Sequence, residues 1–321
     1  MRTTFEAAPG IHAIDTVMGG REQVTSAYLL RADEPAIVET GPTTSVDALT
    51  AGLEELGIGP QDLAHVVVTH IHLDHAGGAG AVAARFPKAT VWVHERGAPH
   101  LADPRRLVAS AERVYGEDLL RQLFGGVDPV PPQRLKPLRE GDVISLGGRE
   151  LETLYTPGHA SHHVALADSQ TGGIFVGDAL GVFLPDVGIL RPATPPPEFD
   201  LEVAIQSVER IGDRRPPMIL FSHFGPAQEV SHLCSLAVSR MRRWTSLVEE
   251  ALERTDRLEE VIHHLRQGTS SDARAAGAER QAAIEDRYEL LSSYQMNAMG
   301  LMKYLQGRGG QESAASRSAT S

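Results

Sequence analysis

Within six positions the chain carries three imidazoles and a carboxylate: His70, His72, Asp74 and His75. Neutral imidazole and ionised carboxylate are good ligands for zinc and for the metals that compete with it. A lone histidine on a loop is usually solvated or hydrogen-bonded, but packing gives no reason to crowd four such groups together. The stretch is read first as a metal site. The run before it, Val66-Val67-Val68-Thr69, is β-branched throughout and reads as a buried strand, while residues 76–86 are alanine-rich and read as a helix. The cluster therefore sits on a strand-to-helix loop, where a rigid sheet can aim several side chains at one point.

Three later strand ends present similar groups. Residues 150–155 read as a strand entering Thr156-Pro157-Gly158-His159, with His162 and His163 close behind. Residues 173–176 deliver Gly177-Asp178, and residues 218–221 end in Ser222-His223-Phe224-Gly225. Four separate strand ends presenting His or Asp are hard to ascribe to chance.

The elements that must hold these ends follow in order. Residues 11–17, 24–31 and 36–39 run apolar or alternate between Gly, Pro and Asp punctuation, as successive strands of an antiparallel meander. A helix capped by Thr43, Thr44 or Ser45 runs to about Leu56, with Val46, Leu49, Leu53 and Leu56 on one face. Residues 90–94 read as a strand. Residues 97–132 depart from the pattern, with helical spacing over 107–123, and are a candidate lid insertion. Strands resume at 142–145, 150–155, 164–167 and 173–176, and a helix covers 201–211. Beyond residue 229 the character is helical, over 233–252, 257–267 and 280–305, where the Tyr294 to Tyr304 methionines read as a packing face. The Gly-, Ser- and Ala-rich tail, 307–321, is expected to be disordered. The expected organisation is a catalytic domain over 1–228, a helical region over 229–306, and the tail.

Composition bounds the partners. At 321 residues, 41% hydrophobic and 22% charged, the chain has ample material for a core. A net charge of -12 argues against a broad grip on nucleic acid or an anionic membrane, which needs clustered Lys and Arg. The single cysteine, Cys234, reads as a buried helix residue, and a free thiol without a disulfide fits a reducing compartment. No signal peptide or spanning segment is evident, so a cytoplasmic location is expected. A small-molecule substrate is the expected partner, and the helical region could serve a homodimer contact or the substrate pocket.

The order His70-x-His72-x-Asp74-His75, then His159 in a TPGH context, Asp178 in VGD and His223 in SHFG resembles the metallo-β-lactamase superfamily, most of all its glyoxalase II-like thioesterase and lactonase branch. The resemblance covers about residues 10–226. It implies an α/β fold, an αββα sandwich with the site at one edge, followed here by a C-terminal helical appendage. It also implies two divalent ions, zinc or else iron or manganese: His70, His72 and His159 on one, Asp74, His75 and His223 on the other, and Asp178 bridging. Two such ions supply four positive charges, of which two carboxylates and a bridging hydroxide offset three. The residual positive charge suits hydrolysis of thioesters, lactones, esters or phosphodiesters. Asp74 is the group placed to orient the hydroxide or pass a proton.

Several positions depart from the pattern or add to it. Glu39 stands where many relatives have Asp and is expected to buttress the metal loops. His163, four residues after His159, is expected to support rather than ligate, and His162 replaces a usual Gly. Tyr155, Phe183, Arg191 and Phe224 adjoin ligands and are candidate substrate contacts. His12, His65, His94, His100, His232, His263 and His264 lack ligand spacing. The main alternative is a mononuclear iron enzyme resembling persulfide dioxygenases, against which the complete second ligand set counts. A nuclease-like phosphodiesterase would carry a nucleic-acid-gripping domain or arm, and a flavin-linked reductase a flavodoxin domain. A non-catalytic binding module would not need every expected ligand.

Overall fold

The computed structural model describes residues 3–270 and 278–318. They fall into two compact units. Unit one comprises Met1–Thr156, His162–Gly177 and Arg214–Val230, and unit two comprises Pro157–Ser161, Asp178–Asp213 and Ser231–Ser321.

Unit one is built on two sheets. The first has seven strands in sequence order: β1 (Thr4–Ala8), β2 (Ile11–Asp15), β3 (Ser26–Leu30), β4 (Ala36–Val38), β5 (His65–Val67), β6 (Thr90–His94) and β7 (Leu135–Leu138). The pairs from β1 to β4 are antiparallel, as the meander reading requires, and those from β4 to β7 are parallel. The parallel half needs crossovers. These are α1 (Val46–Glu55) between β4 and β5, and α2 (Leu73–Ala76) with α3 (Ala79–Arg85) between β5 and β6. The candidate lid stretch forms α4 (Ala98–Ala102), α5 (Arg105–Tyr115) and α6 (Glu117–Leu123) within this unit, the last two parted at Gly116, whose φ is 75°.

The second sheet runs β15 (Gly225–Ala227), β14 (Ile219–Phe221), β11 (Ile174–Gly177), β10 (Val164–Asp168), β9 (Glu150–Tyr155) and β8 (Val143–Ser145). Side-chain alternation shows how sheet one is covered. Leu29, Ile37 and Val66 join Leu49, Leu53, Val82 and Phe86 in a helix-on-sheet core. Their neighbours Tyr28, Leu30, Val38 and Val67 join Leu151, Val164, Leu166, Phe175 and Leu220 in a sheet-on-sheet core. Both faces being covered, the strands read as apolar runs rather than strict alternation. Two polar devices fix unit one internally. The Tyr28 hydroxyl donates to the Phe221 carbonyl at 2.5 Å, tying β3 to the end of β14. Arg149 and Asp168, both fully buried, form a two-pronged ion pair at 2.6 and 2.9 Å.

Unit two holds a hairpin of β12 (Val182–Leu184) and β13 (Ile189–Arg191), then α7 (Leu201–Asp213), α8 (Val230–Leu252), α9 (Leu258–Thr269), α10 (Ala278–Leu291) and α11 (Tyr294–Ser318). The C-terminal helical character is as the sequence indicates, but the expected single helix over 280–305 is two. Ser293 caps the second by accepting the Met296 N–H at 3.0 Å. The helix runs to Ser318, past residue 307, from which the sequence leads one to expect disorder. Residues 319–321 of the expected tail lie outside the described residues. Cys234 is buried in α8, and burial pushes its thiol up to about 11. Among the described residues no helix is long and apolar enough to cross a membrane.

Candidate metal centre

Strand β5 lies inside sheet one between two parallel neighbours, so the turn after it is held on both sides. The Thr40 amide and hydroxyl both donate to the His75 carbonyl at 2.9 Å, which ties the ligand stretch to the loop after β4. The ligands do not all sit on a loop, as the sequence reading has it. Leu73–Ala76 is a helical turn, so Asp74 and His75, about 100° apart on it, point different ways.

Glu39 organises this turn. It is buried at 1% exposure, with φ of 71°, in the left-handed region that side chains rarely adopt. Its Oε1 accepts from the Thr69 hydroxyl at 2.6 Å, the Ser222 hydroxyl at 2.9 Å and His75 Nδ1 at 3.1 Å, and its Oε2 from the Thr69 amide at 3.3 Å. One carboxylate therefore joins the ligand turn to the loop that bears His223.

These bonds also fix the imidazole tautomers. A carboxylate can only accept, so His75 carries a proton on Nδ1, and in the neutral imidazole that metal ligation requires its Nε2 is the bare nitrogen. His223 Nδ1 is 3.2 Å from the Val24 carbonyl, and the same reasoning leaves its Nε2 bare. Both Nε2 atoms face Asp74 Oδ2, at 3.5 Å from His75 and 3.4 Å from His223. Ligands about 2.0–2.1 Å from a tetrahedral ion stand about 3.3–3.4 Å apart, so this spacing is that of a coordination edge. All three donor atoms lie within 4.8 Å of one another. Two bare nitrogens and a carboxylate oxygen converging in a buried place suit a divalent cation.

His70 and His72 form a second convergence. Thr69 Oγ, committed as a donor to Glu39, accepts from His70 Nδ1 at 3.0 Å, and His70 Nε2 lies 3.0 Å from His72 Nδ1. His163 is fully buried beside them. Its Nδ1 is 2.8 Å from the Thr156 hydroxyl and its ring packs 5.0 Å from that of His70. His162 stacks on His70 at 6.2 Å, and its Nδ1 accepts the Ile71 amide at 3.4 Å.

Unit two brings His159 and Asp178 together. His159 Nδ1 donates to the Ala193 carbonyl at 2.9 Å, which turns a bare Nε2 toward Asp178 Oδ2 at 3.5 Å, again a coordination edge.

The candidate substrate contacts divide. Arg191, at 5% exposure, is bound by Glu285 Oε1 and Oε2 at 2.9 and 2.8 Å, with its guanidinium 4.4 and 4.5 Å from the Tyr288 and Tyr294 ring centres. The guanidinium is thus paired and stacked within unit two. Tyr155, half-buried, stacks on His94 at 4.6 Å, Phe183 is half-buried on β12, and Phe224 packs against Phe5 at 6.0 Å. The sequence reading does not find Ala193 and Val24, whose contribution is a carbonyl with no side-chain signature. Thr69 and Ser222 carried a signal, a hydroxyl residue directly before His70 and before His223.

The family model of the metallo-beta-lactamase superfamily matches residues 20–223. A metallo-beta-lactamase fold-containing protein of Sulfurisphaera tokodaii is 26% identical over 221 residues, which is 67% of this chain and 78% of the relative. The crystal structure of an archaeal superfamily protein from Sulfolobus tokodaii has a TM-score of 0.63 at 21% identity, covering 91% of this chain and 98% of that one, a likeness of fold. A hydroxyacylglutathione hydrolase of a Synechococcus strain is 29% identical over 168 residues, 52% of this chain and 53% of the relative. An acyl-coenzyme A thioesterase of Gallus gallus is 34% identical over 131 residues, 39% of this chain and 44% of its own length. The chain thus spans about half the length of these last two relatives.

Proposed function

Because this chain belongs to the metallo-β-lactamase superfamily of metal-dependent hydrolases, we propose that it hydrolyses a small acyl thioester or lactone at a centre of two divalent ions, zinc being the first choice. His70, His72 and His159 hold one ion in this reading, Asp74, His75 and His223 the other, and Asp178 is shared. The observation that carries it is the spacing of bare His75 and His223 Nε2 atoms around Asp74 Oδ2, 3.5 and 3.4 Å. That is a second complete ligand set, which a mononuclear iron enzyme would not need. The two thioester-named relatives support the substrate class.

When bound, the ions lower the pKa of water toward about 7 and polarise the acyl carbonyl. The chain's own groups do the rest. Glu39, Val24 and Ala193 hold the imidazole protons on Nδ1, so that each Nε2 faces the centre. Asp74 Oδ1, on a side chain 18% exposed, is assigned to take the proton of the attacking water and return it to the leaving thiolate or alkoxide. Water adds its oxygen to the acyl carbon, the acyl–sulfur or acyl–oxygen bond breaks, and the products are an acid and a thiol or alcohol.

The test is a panel of acyl thioesters, lactones, aryl esters and bis-aryl phosphodiesters, run on protein of measured metal content. Two ions per chain with turnover of thioesters or lactones is the expected result. One iron and no second metal, or two ions with turnover of phosphodiesters alone, would overturn it.

A further inference from the structure

We infer that Asn297, on the C-terminal helix α11, is a positioning residue for His159 and thereby sets the affinity of one of the two metal ions. The inference rests on the two-metal reading above and concerns how the chain holds that ligand.

His159 Nδ1 donates to the Ala193 carbonyl at 2.9 Å, a bond that orients the ring. The direction of that carbonyl depends on the backbone to either side, and both sides are gripped by the α10–α11 junction. Before Ala193, the Pro192 carbonyl accepts from the Ser292 hydroxyl at 2.5 Å. After it, the Thr194 amide and hydroxyl both donate to Asn297 Oδ1, at 2.8 and 2.7 Å. The two grips are one device, because Asn297 Nδ2 donates to Ser292 Oγ at 2.8 Å and to the Ser293 carbonyl at 2.9 Å.

All four hydrogen-bonding positions of the Asn297 amide are thus used, and Thr194, Ser292 and Asn297 are fully buried. Aspartate would replace two donors by acceptors, and alanine would take the acceptor from the Thr194 amide and leave the Thr194 hydroxyl only the Asn297 carbonyl at 3.3 Å. The approach is also close: a Cβ added at Gly300, one helical turn on, would stand 1.8 Å from the Thr194 oxygen. The helix therefore meets the 192–195 segment backbone to backbone, and rotation of the Ala193 peptide is blocked from both ends. A hydrogen-bond partner behind a ligating histidine fixes its ring direction, and loss of such support typically costs about 10–100-fold in metal affinity. Here the support is itself supported, by a residue 138 positions beyond His159 in the chain.

The experiment is chelator competition with Zn2+ on the full-length protein, reading both ions, for wild type, Asn297→Ala, Thr194→Val, His159→Ala and the His159→Ala/Asn297→Ala pair. Asn297→Ala is expected to weaken one ion about 10-fold or more and leave the other unchanged. The milder Thr194→Val, which keeps the amide bond, is expected to weaken the same ion less. In the His159→Ala background the remaining ion is expected to bind equally well with and without Asn297→Ala, since the effect runs through His159. Equal weakening of both ions, further weakening in the His159→Ala background, or unchanged affinity in Asn297→Ala and Thr194→Val would overturn the inference. Fewer than two ions in wild type would instead defeat the two-metal reading.

Discussion

Replacing Glu39 by alanine and by glycine separates what its carboxylate does from what its backbone costs. The carboxylate accepts four hydrogen bonds, from the Thr69 hydroxyl and amide, the Ser222 hydroxyl and His75 Nδ1. Bonds to a charged group contribute about 1.5 kcal/mol or more each, a gross loss of about 6 kcal/mol. Burying the carboxylate itself costs several kcal/mol, which truncation recovers. The net for metal-free Glu39→Ala is then about 2–3 kcal/mol of lost stability. The backbone is a separate contribution: at φ of 71° a side-chain-bearing residue is disfavoured, and glycine is about 1 kcal/mol better than alanine there. Glu39→Gly should therefore be the more stable variant in denaturant titrations of chelated protein. Zinc affinity at the Asp74, His75 and His223 set should fall about 10–100-fold in both, because both lose the partner of His75. Recovery of zinc affinity by glycine, or wild-type affinity in alanine, would refute the orienting role.

Three further predictions follow, the first two from the two-ion reading proposed above and the third from the geometry alone. Asp74→Asn should lower kcat about 100-fold or more and weaken the ion held with His75 and His223, read by steady-state kinetics and metal analysis; full turnover with both ions bound would remove Asp74 from proton transfer. Gly158→Ala should cost the His159 ion at least about 10-fold in affinity, because at φ of 123° its Cβ would stand 2.3 Å from the backbone of Ala204 and push the loop aside; unchanged zinc binding would count against it. Asp168→Asn should cost about 3–5 kcal/mol near pH 7 by leaving Arg149 buried and unmatched. Burial pushes the Asp168 carboxyl up, but the bonds from Arg149 and Thr171 outweigh it and hold the group below its ordinary value. Its contribution is therefore present above the unfolded pKa, about 3.9, and fades as pH falls through the folded one, so the gap between wild type and variant should narrow below about pH 4. A gap in denaturant midpoints that widens on acidification would refute this.

The legible parts of the fold were those with a strong local signature. Val66-Val67-Val68 could be little else than a buried strand, and the helix faces of Leu49, Leu53, Val208 and Ile211 announced themselves by spacing. The hairpin β12–β13 did not, being two three-residue strands. Nor did the break at Ser292 and Ser293, where a hydroxyl pair is helix-neutral until its tertiary partners are known. At the site, His and Asp side chains stood out by chemistry, but what aims them is largely backbone. Val24 and Ala193 act through carbonyls that every residue possesses. The pairing of Arg191 was not legible either, because its partner Glu285 lies 94 positions away. Local sequence cannot tell a cation that waits for substrate from one already claimed.

The bonds that Glu39 makes also bear on when the centre can come into being. The carboxylate reaches Ser222 across 183 positions, Tyr28 reaches Phe221 across 193, and His223 reaches Val24 across 199. Contacts of such separation are the slow ones in folding. On the ribosome, the Asp74–His75 turn emerges long before the strand that carries His223 has been made. The three residues can therefore meet around an ion only once the strand before His223 has been made and the second sheet has closed.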